Sequence, residues 1–142
     1  MRILGLDVGS KTIGVAVSDE LGITAQGVTT LTRKELSDDS AQLLKIVEEY
    51  KAERIVVGLP KNMNGTLGPA AQMVLSLIEE LQKSVTLPIV TWDERLSTMA
   101  AERTLLEADV SRKKRKQVID KVAAILILQG YLDSLARVKD IS

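Results

Sequence analysis

A mixed five-stranded sheet with helices on its faces, an α/β architecture, is the fold class this sequence predicts. Two observations predict it. Three strand-like runs crowd into the first thirty residues with only turns between them. From residue 37 onward, segments of helical period alternate with short Val/Ile-rich runs, the pattern of strands joined by helical crossovers. Length adds that 142 residues make most economically one domain, spanning 1–142 and large enough for a real core.

The elements follow in order. Arg2–Val8 and Thr12–Ser18 read as two strands joined by the tight Gly9-Ser10-Lys11 turn, and Ile23–Thr30 as a third strand of an antiparallel meander. Ser37–Tyr50 carries Leu43, Ile46, Val47 and Tyr50 on one helical stripe. Arg54–Val57 is a short buried strand ending at Gly58. Pro69 suits the first turn of a helix bearing Ala70, Met73, Val74, Leu77, Ile78 and Leu81. Leu87–Trp92 is the fifth strand, and Ser97 or Thr98 caps a helix reaching Glu107. Lys114–Ala136 forms the last helix, apolar at Val118, Val122, Ile125, Leu126 and Leu132. The expected order is βββαβαβαα.

Composition narrows the chemistry. Hydrophobic residues make up 45% of the chain but only Tyr50, Trp92 and Tyr131 are aromatic, so Leu, Ile, Val and Ala must build the core. No apolar stretch reaches membrane-spanning length, and the first residues read as a strand rather than a signal peptide. There is no Cys, hence no disulfide framework, which fits a cytoplasmic protein. There is no His either, which removes imidazole acid–base chemistry along with thiolate nucleophiles and zinc sites. Nineteen basic and nineteen acidic residues cancel, so only the distribution of charge can point to a polyanion.

That distribution is uneven. Arg112, Lys113, Lys114, Arg115 and Lys116 form a run of cations at the start of the last helix, where they oppose its macrodipole by about 0.3–1 kcal/mol each. Such a run is either a solvated first turn or a patch that contacts phosphates. Its unfavourable position argues for the second.

Asp7 is the most telling residue. It sits in the otherwise apolar strand Arg2–Val8, where a carboxylate is costly unless a cation compensates its desolvation. In a chain without His or Cys, that cation is a hard divalent ion held by oxygen ligands, Mg²⁺ or Mn²⁺. The plainer alternative is a strand-end Asp that caps the Gly9-Ser10 turn. Two more carboxylate positions join it: Asp93-Glu94 closing the fifth strand, and Asp120 on the last helix. Parallel pairing of the first strand with the later ones would bring these acids to neighbouring strand ends. Three convergent carboxylates repel unless cations neutralise them, and two ions about 3.5–4 Å apart are a common arrangement for phosphodiester cleavage. Each acid has a duller reading too: Asp93 as a turn residue, Glu94 as a surface charge beside Arg95, Asp120 paired with Lys116.

Four motifs in order then carry a resemblance. Gly5-Leu-Asp-Val-Gly-Ser-Lys-Thr-Ile-Gly-Val-Ala-Val-Ser-Asp19, Val56-Val-Gly-Leu-Pro60 with Gly65, Asp93-Glu-Arg-Leu-Ser-Thr98, and Lys116-Gln-Val-Ile-Asp120 with Ala123-Ala124 closely resemble the YqgF (RuvX) family across nearly the whole chain. The resemblance implies a ribonuclease H-like fold, with helices on both faces of the five-stranded sheet, related to the Holliday junction resolvase RuvC. It implies a metal-dependent nuclease of structured nucleic acid, most readily one that matures the 5′ end of pre-16S rRNA in ribosome biogenesis. The alternative is a junction resolvase acting on branched DNA. It also implies that Asp7, Glu94 and Asp120 are the catalytic, metal-binding acids, with Asp93 a further acid whose role stays open. One departure matters: the resolvase carries a second acid three residues after the first on its last helix, and here that position is Ala123.

Around these acids, Ser10 and Lys11 can offer a hydroxyl, an amide and an ammonium to a phosphate. Asn62 and Asn64 lie in a long loop at a strand's carboxyl end, where open α/β sheets bind ligands, although Asn-Gly is also an ordinary turn. Arg95 either braces a carboxylate or grips the scissile phosphate. Two other classes compete with the nuclease. Asp-x-Gly in a hairpin also resembles the phosphate loop of sugar kinases, but that architecture needs a second domain. A non-catalytic nucleic-acid-binding protein would keep the same motifs. Oligomeric state stays open between monomer and homodimer.

The basic run generates a test. Lys113→Ala with Lys114→Ala should weaken nucleic-acid binding across sequences and reduce the slope of log affinity against log salt by about 0.7–0.9 per lost contact. An unchanged slope returns the run to a solvated helix start.

Overall fold

The computed structural model describes residues 1–94 and 112–141, with side chains described over 1–94 and 122–137. Five strands form one sheet in the order β3-β2-β1-β4-β5. They are β1 (Ile3–Val8), β2 (Thr12–Ser18), β3 (Ala25–Thr32), β4 (Arg54–Leu59) and β5 (Ile89–Asp93). The β1–β2 and β2–β3 pairs are antiparallel, whereas β4 pairs parallel with β1 and with β5. Among the described residues three helices cover the sheet: α1 (Leu36–Tyr50), α2 (Pro69–Gln82) and α3 (Arg112–Ile141). The mixed sheet and its five strands are those the sequence predicts. The helix expected from Ser97 or Thr98 to Glu107 lies outside the described residues.

Strand alternation sorts the side chains into two cores. Leu4, Leu6 and Val8 of β1, with Ile13, Val15 and Val17 of β2 and Ile55, Val57 and Leu59 of β4, meet Leu43, Ile46 and Val47 of α1 and Val74, Leu77 and Leu81 of α2. The other face supplies Ile3, Ala16 and Val56, which meet Ala123, Ala124, Ile127, Leu128 and Leu132 of α3. Helices therefore occupy both faces, and Gly5 and Asp7 share the α3 face with Ile3.

Several boundaries move, each for a local reason. The third strand begins at Ala25 rather than Ile23, because the Asp19 carboxylate accepts the amides of Ile23 (2.7 Å) and Thr24 (3.2 Å) and closes the loop. The Ile23 amide leads in holding the Asp19 carboxyl below its ordinary range, so this loop contact is complete at neutral pH and is lost as acid protonates Asp19. β4 runs past Gly58 to Leu59, since Gly58 and Leu59 pair with Trp92 and Asp93. On α2, Ala71 rather than Ala70 enters the core.

The apolar stripe of α3 is the larger correction. Val122, Ile125 and Leu126 are only half-buried, while Ala123, Ala124, Ile127 and Leu128 face the sheet. Residues 122–128 are apolar all round, so periodicity alone cannot choose the face. The sheet chooses it by offering glycine. A Cβ on Gly5 would sit 2.7 Å from the Leu128 Cβ and 3.3 Å from the Ala124 carbonyl oxygen. On the helix side, a Cβ on Gly130 would lie 3.2–3.3 Å from the Trp92 ring. The helix is also tied to the edge of the sheet, where the Gln129 side chain accepts the Ala25 amide (3.0 Å) and donates to the Ile23 carbonyl (2.9 Å).

Gly5→Ala should therefore cost about 1–3 kcal/mol, because the added methyl meets helix backbone as well as side chain. Urea unfolding measures it. A stability within about 0.5 kcal/mol of the parent would mean that α3 can slide outward freely.

Candidate active site

Asp7 is the one charged side chain of β1 and is 9% exposed. Its surroundings explain how a carboxylate fits there. Across the β2 ladder its partner is Gly14, and one step beyond the Leu6–Val57 pair on β4 comes Gly58. The strands on both sides of Asp7 thus present glycine at its level. Glycine on both neighbouring strands makes room at the level of Asp7, a lane that over Gly58 is entered by Ile127 and by Glu94.

Glu94 enters the same lane. It directly follows β5, and its Oε1 lies 2.9 Å from where a Gly58 Cβ would be, a point that Ile127 of α3 also approaches. The carboxylate therefore leans over Gly58 toward the strand that carries Asp7. Asp93 does not. One residue earlier in the alternation, it falls on the face of α1 and α2, where its Oδ2 lies 4.0 Å from Lys61 Nζ. The two adjacent acids are separated by the pleat.

Asp120 belongs to α3, in the part of the helix whose side chains are outside the description. The direction of that helix is described. Tyr131 accepts a hydrogen bond from Arg54 at the start of β4 (2.7 Å), and Ile127 lies against Gly58 near the strand's other end. α3 consequently runs antiparallel to β4, and residues earlier in the helix lie toward the carboxyl ends of β1 and β4. Position 120 precedes Ala123 and Ala124 by about one turn of the helix. Among the described residues no three acids form a cluster that could hold a metal ion. The donor set of this face, carboxylate oxygens without nitrogen or sulfur, fits a hard divalent ion.

The turn after Asp7 is held from the opposite side. The Gly9 amide donates to the Thr12 carbonyl (2.8 Å), leaving Ser10 and Lys11 exposed at the tip. Arg33, just past β3, donates its amide to the Lys11 carbonyl (2.9 Å) and an Nη1 hydrogen to the Gly9 carbonyl (3.1 Å). Its Nε meets Oδ2 of Asp39 at 3.1 Å, and Oδ1 of Asp39 accepts the Lys34 amide at 2.9 Å. Asp39 is 1% exposed in the first turn of α1. In the sequence, residues 35–39 are merely rich in acids, and nothing there singles out Arg33. An Arg just after a strand, six residues before an Asp in a helix's first turn, is the signal available.

The loop after β4 is ordered by its own side chains. Asn62 Nδ2 donates to the Thr66 hydroxyl (2.9 Å), while Asn64 Oδ1 accepts from the Thr66 amide (3.1 Å) and hydroxyl (2.6 Å). Gly65 takes the left-handed φ of 86° that closes the turn. The amides of Asn62 and Asn64 are thus engaged within the loop. Arg95 lies outside the described residues, and so do the side chains of Arg112, Lys113, Lys114, Arg115 and Lys116.

Comparison with known proteins places this geometry. A family model described as "RuvX: Holliday junction resolvase" matches residues 1–134. A protein from Desulforamulus reducens, named "Putative pre-16S rRNA nuclease", is 61% identical over 137 residues, covering 96% of this chain and all of the relative. A relative of the same name from Clostridium perfringens is 60% identical over the same lengths. Among solved structures, Thermus thermophilus RuvC in complex with a Holliday junction substrate superposes with a TM-score of 0.60 at 14% identity, covering 92% of this chain and 91% of that one. That likeness is of fold, the ribonuclease H-like fold.

Gly58→Ala isolates the lane. Its methyl would collide with Ile127 and with the Glu94 carboxylate, so cleavage by the folded variant should fall at least tenfold beyond any loss of folded protein. Parent-like specific activity would show that the Glu94 carboxylate need not cross Gly58.

Proposed function

The chain belongs to the RuvX family, and from that premise we propose that it is a divalent-metal-dependent nuclease that processes the 5′ end of pre-16S rRNA. The observation that carries this reading is the pairing of Asp7 and Glu94 on one face, with the side-chain-free Gly58 between them. Two acids converging over glycine suit charge chemistry on a phosphodiester far better than they suit structural packing.

Asp7, Glu94 and Asp120 would hold Mg²⁺ or Mn²⁺. The bound cation, two ions in the full site, supplies charge neutralisation for a pentacoordinate phosphorus. The remaining work belongs to the chain. The Ser10 and Lys11 tip binds a phosphate oxygen beside Asp7. The cations Arg112–Lys116 track the backbone, and Lys116, one turn before Asp120, orients the attacking water. In-line attack leaves 5′-phosphate and 3′-hydroxyl ends. Binding rests on phosphates and shape rather than base stacking, because Trp92 and Tyr131 pack into the α3 core and no Phe exists.

The family description names a junction resolvase, and one position weighs against that substrate here. Where the resemblance to RuvC calls for an extra helix acid stands Ala123, 1% exposed in the second core. A carboxylate could not be accommodated there without opening the helix–sheet contact. No described helix is long and apolar enough to cross a membrane, and a cytoplasmic setting fits a ribosomal RNA substrate.

Asp7→Asn and Glu94→Gln should each lower cleavage of a pre-16S 5′-end substrate by 10³-fold or more with little loss of fold, whereas Asp93→Asn should remain within about threefold of the parent. Asp93→Asn as inactive as Glu94→Gln would reverse the assignment of the two acids. Cleavage that persists in excess EDTA would remove the metal, and paired nicking of a four-way junction faster than RNA cleavage would replace the substrate.

A further inference from the structure

We infer that Arg33, locked by Asp39, is a positioning residue that aims the backbone amide of Ser10 at a substrate phosphate; the inference rests on the nuclease reading of the Asp7 face. Arg33 grips the turn twice, through its guanidinium on the Gly9 carbonyl (3.1 Å) and its own amide on the Lys11 carbonyl (2.9 Å). A trans peptide holds C=O and N–H on opposite sides of one plane, and the Gly9–Ser10 peptide is trans. Fixing the Gly9 carbonyl toward Arg33 therefore directs the Ser10 N–H away from Arg33 and α1, to the side of the turn on which Asp7 lies. The amide becomes a preset donor for an anion, three residues along the chain from the Asp7 carboxylate.

The energetics favour this role over a purely structural one. Arg33 and Asp39 have side chains 10% and 1% exposed, so both charges lose most of their hydration. A buried ion pair seldom stabilises more than well-packed apolar residues of the same size. What the pair adds is direction. Asp39 spends both oxygens on this corner, one on the Arg33 Nε and one on the Lys34 amide, so the guanidinium can meet the Gly9 carbonyl in one orientation only. An apolar pair would hold α1 against the sheet but leave the turn's peptide planes free to rotate.

Three variants test it: Arg33→Met, Asp39→Asn and Arg33→Lys, each measured for thermal stability, Mn²⁺ affinity, kcat/KM on RNA and the salt dependence of RNA binding. Arg33→Met and Asp39→Asn should lower kcat/KM about 10- to 100-fold while Mn²⁺ affinity stays within about twofold, and Arg33→Lys should recover part of the loss. The salt slope should not change, because an amide carries no charge and releases no counterion. A slope lower by about 0.7–0.9 in Arg33→Met would mean that Arg33 touches phosphate itself, and overturns the positioning role. A fall in stability with unchanged kcat/KM overturns it as well. Should Arg33→Met fail to fold, Arg33→Gln supplies the salt-slope outcome, and Asp39→Asn and Arg33→Lys the kcat/KM and stability outcomes. If the parent protein cuts no RNA, the nuclease reading fails by itself, and the RNA affinities of the variants against the parent still decide whether the amide binds phosphate.

Discussion

The rest of the molecule depends on how closely α3 can approach the sheet. Helix–sheet packing is ordinarily spaced by side chains from both surfaces, yet here the sheet gives way at Gly5 and Gly58, and the helix at Ala123, Ala124 and Gly130. This close seat determines that Ala123, Ala124, Ile127 and Leu128 are the buried side of α3. It also leaves a lane over Gly58 that the Glu94 carboxylate enters and that Asp7 borders. Small residues thus serve two ends at once. They bring the helix down, and they keep the space beside the acids free of bulk. A larger side chain in this lane would strain the core and crowd the carboxylates in the same stroke.

The electrostatics divide between the two faces. On the α3 face, Asp7 and the Glu94 carboxylate share one side of the sheet, and like charges brought together there are a setting that divalent metal would relieve. On the opposite face, each described acid near the site has a basic partner: Asp93 has Lys61, and Asp39 has Arg33. The pleat of the sheet keeps the two groups apart, with Asp93 and Asp39 on the α1 and α2 side and Asp7 and Glu94 on the α3 side.

Much of this was legible in the sequence. The three-strand meander, the crossover helices and the mixed sheet follow from turn residues and period, because local propensity and tertiary packing agree there. Asp7 stands out for its apolar setting, and the family motifs supply Glu94 and Asp120 as its companions. Other features depend on knowledge of faces that no local pattern contains. The role of Asp93, left open by the motifs, becomes distinct from that of Glu94 once the alternation of β5 puts the two acids on opposite faces. The α3 stripe escaped periodicity because residues 122–128 are apolar all round, and the deciding glycines lie more than sixty positions away. That Asn62 and Asn64 share Thr66 as a partner within their loop is likewise a contact that composition alone does not show. Arg33 and Asp39 join a loop to a hairpin distant in sequence, a contact made by tertiary structure alone.

The central claim is that one face of the sheet, bordered by Asp7, Glu94 and position 120, takes up divalent metal. Crystals grown with Mn²⁺ and read by anomalous diffraction at the manganese edge test it most directly. The account predicts anomalous density on the α3 face within bonding distance of Asp7 and Glu94 oxygens, about 2.0–2.3 Å away. Density beside Asp93 and Lys61 instead, or none near Asp7 at saturating Mn²⁺, would contradict it.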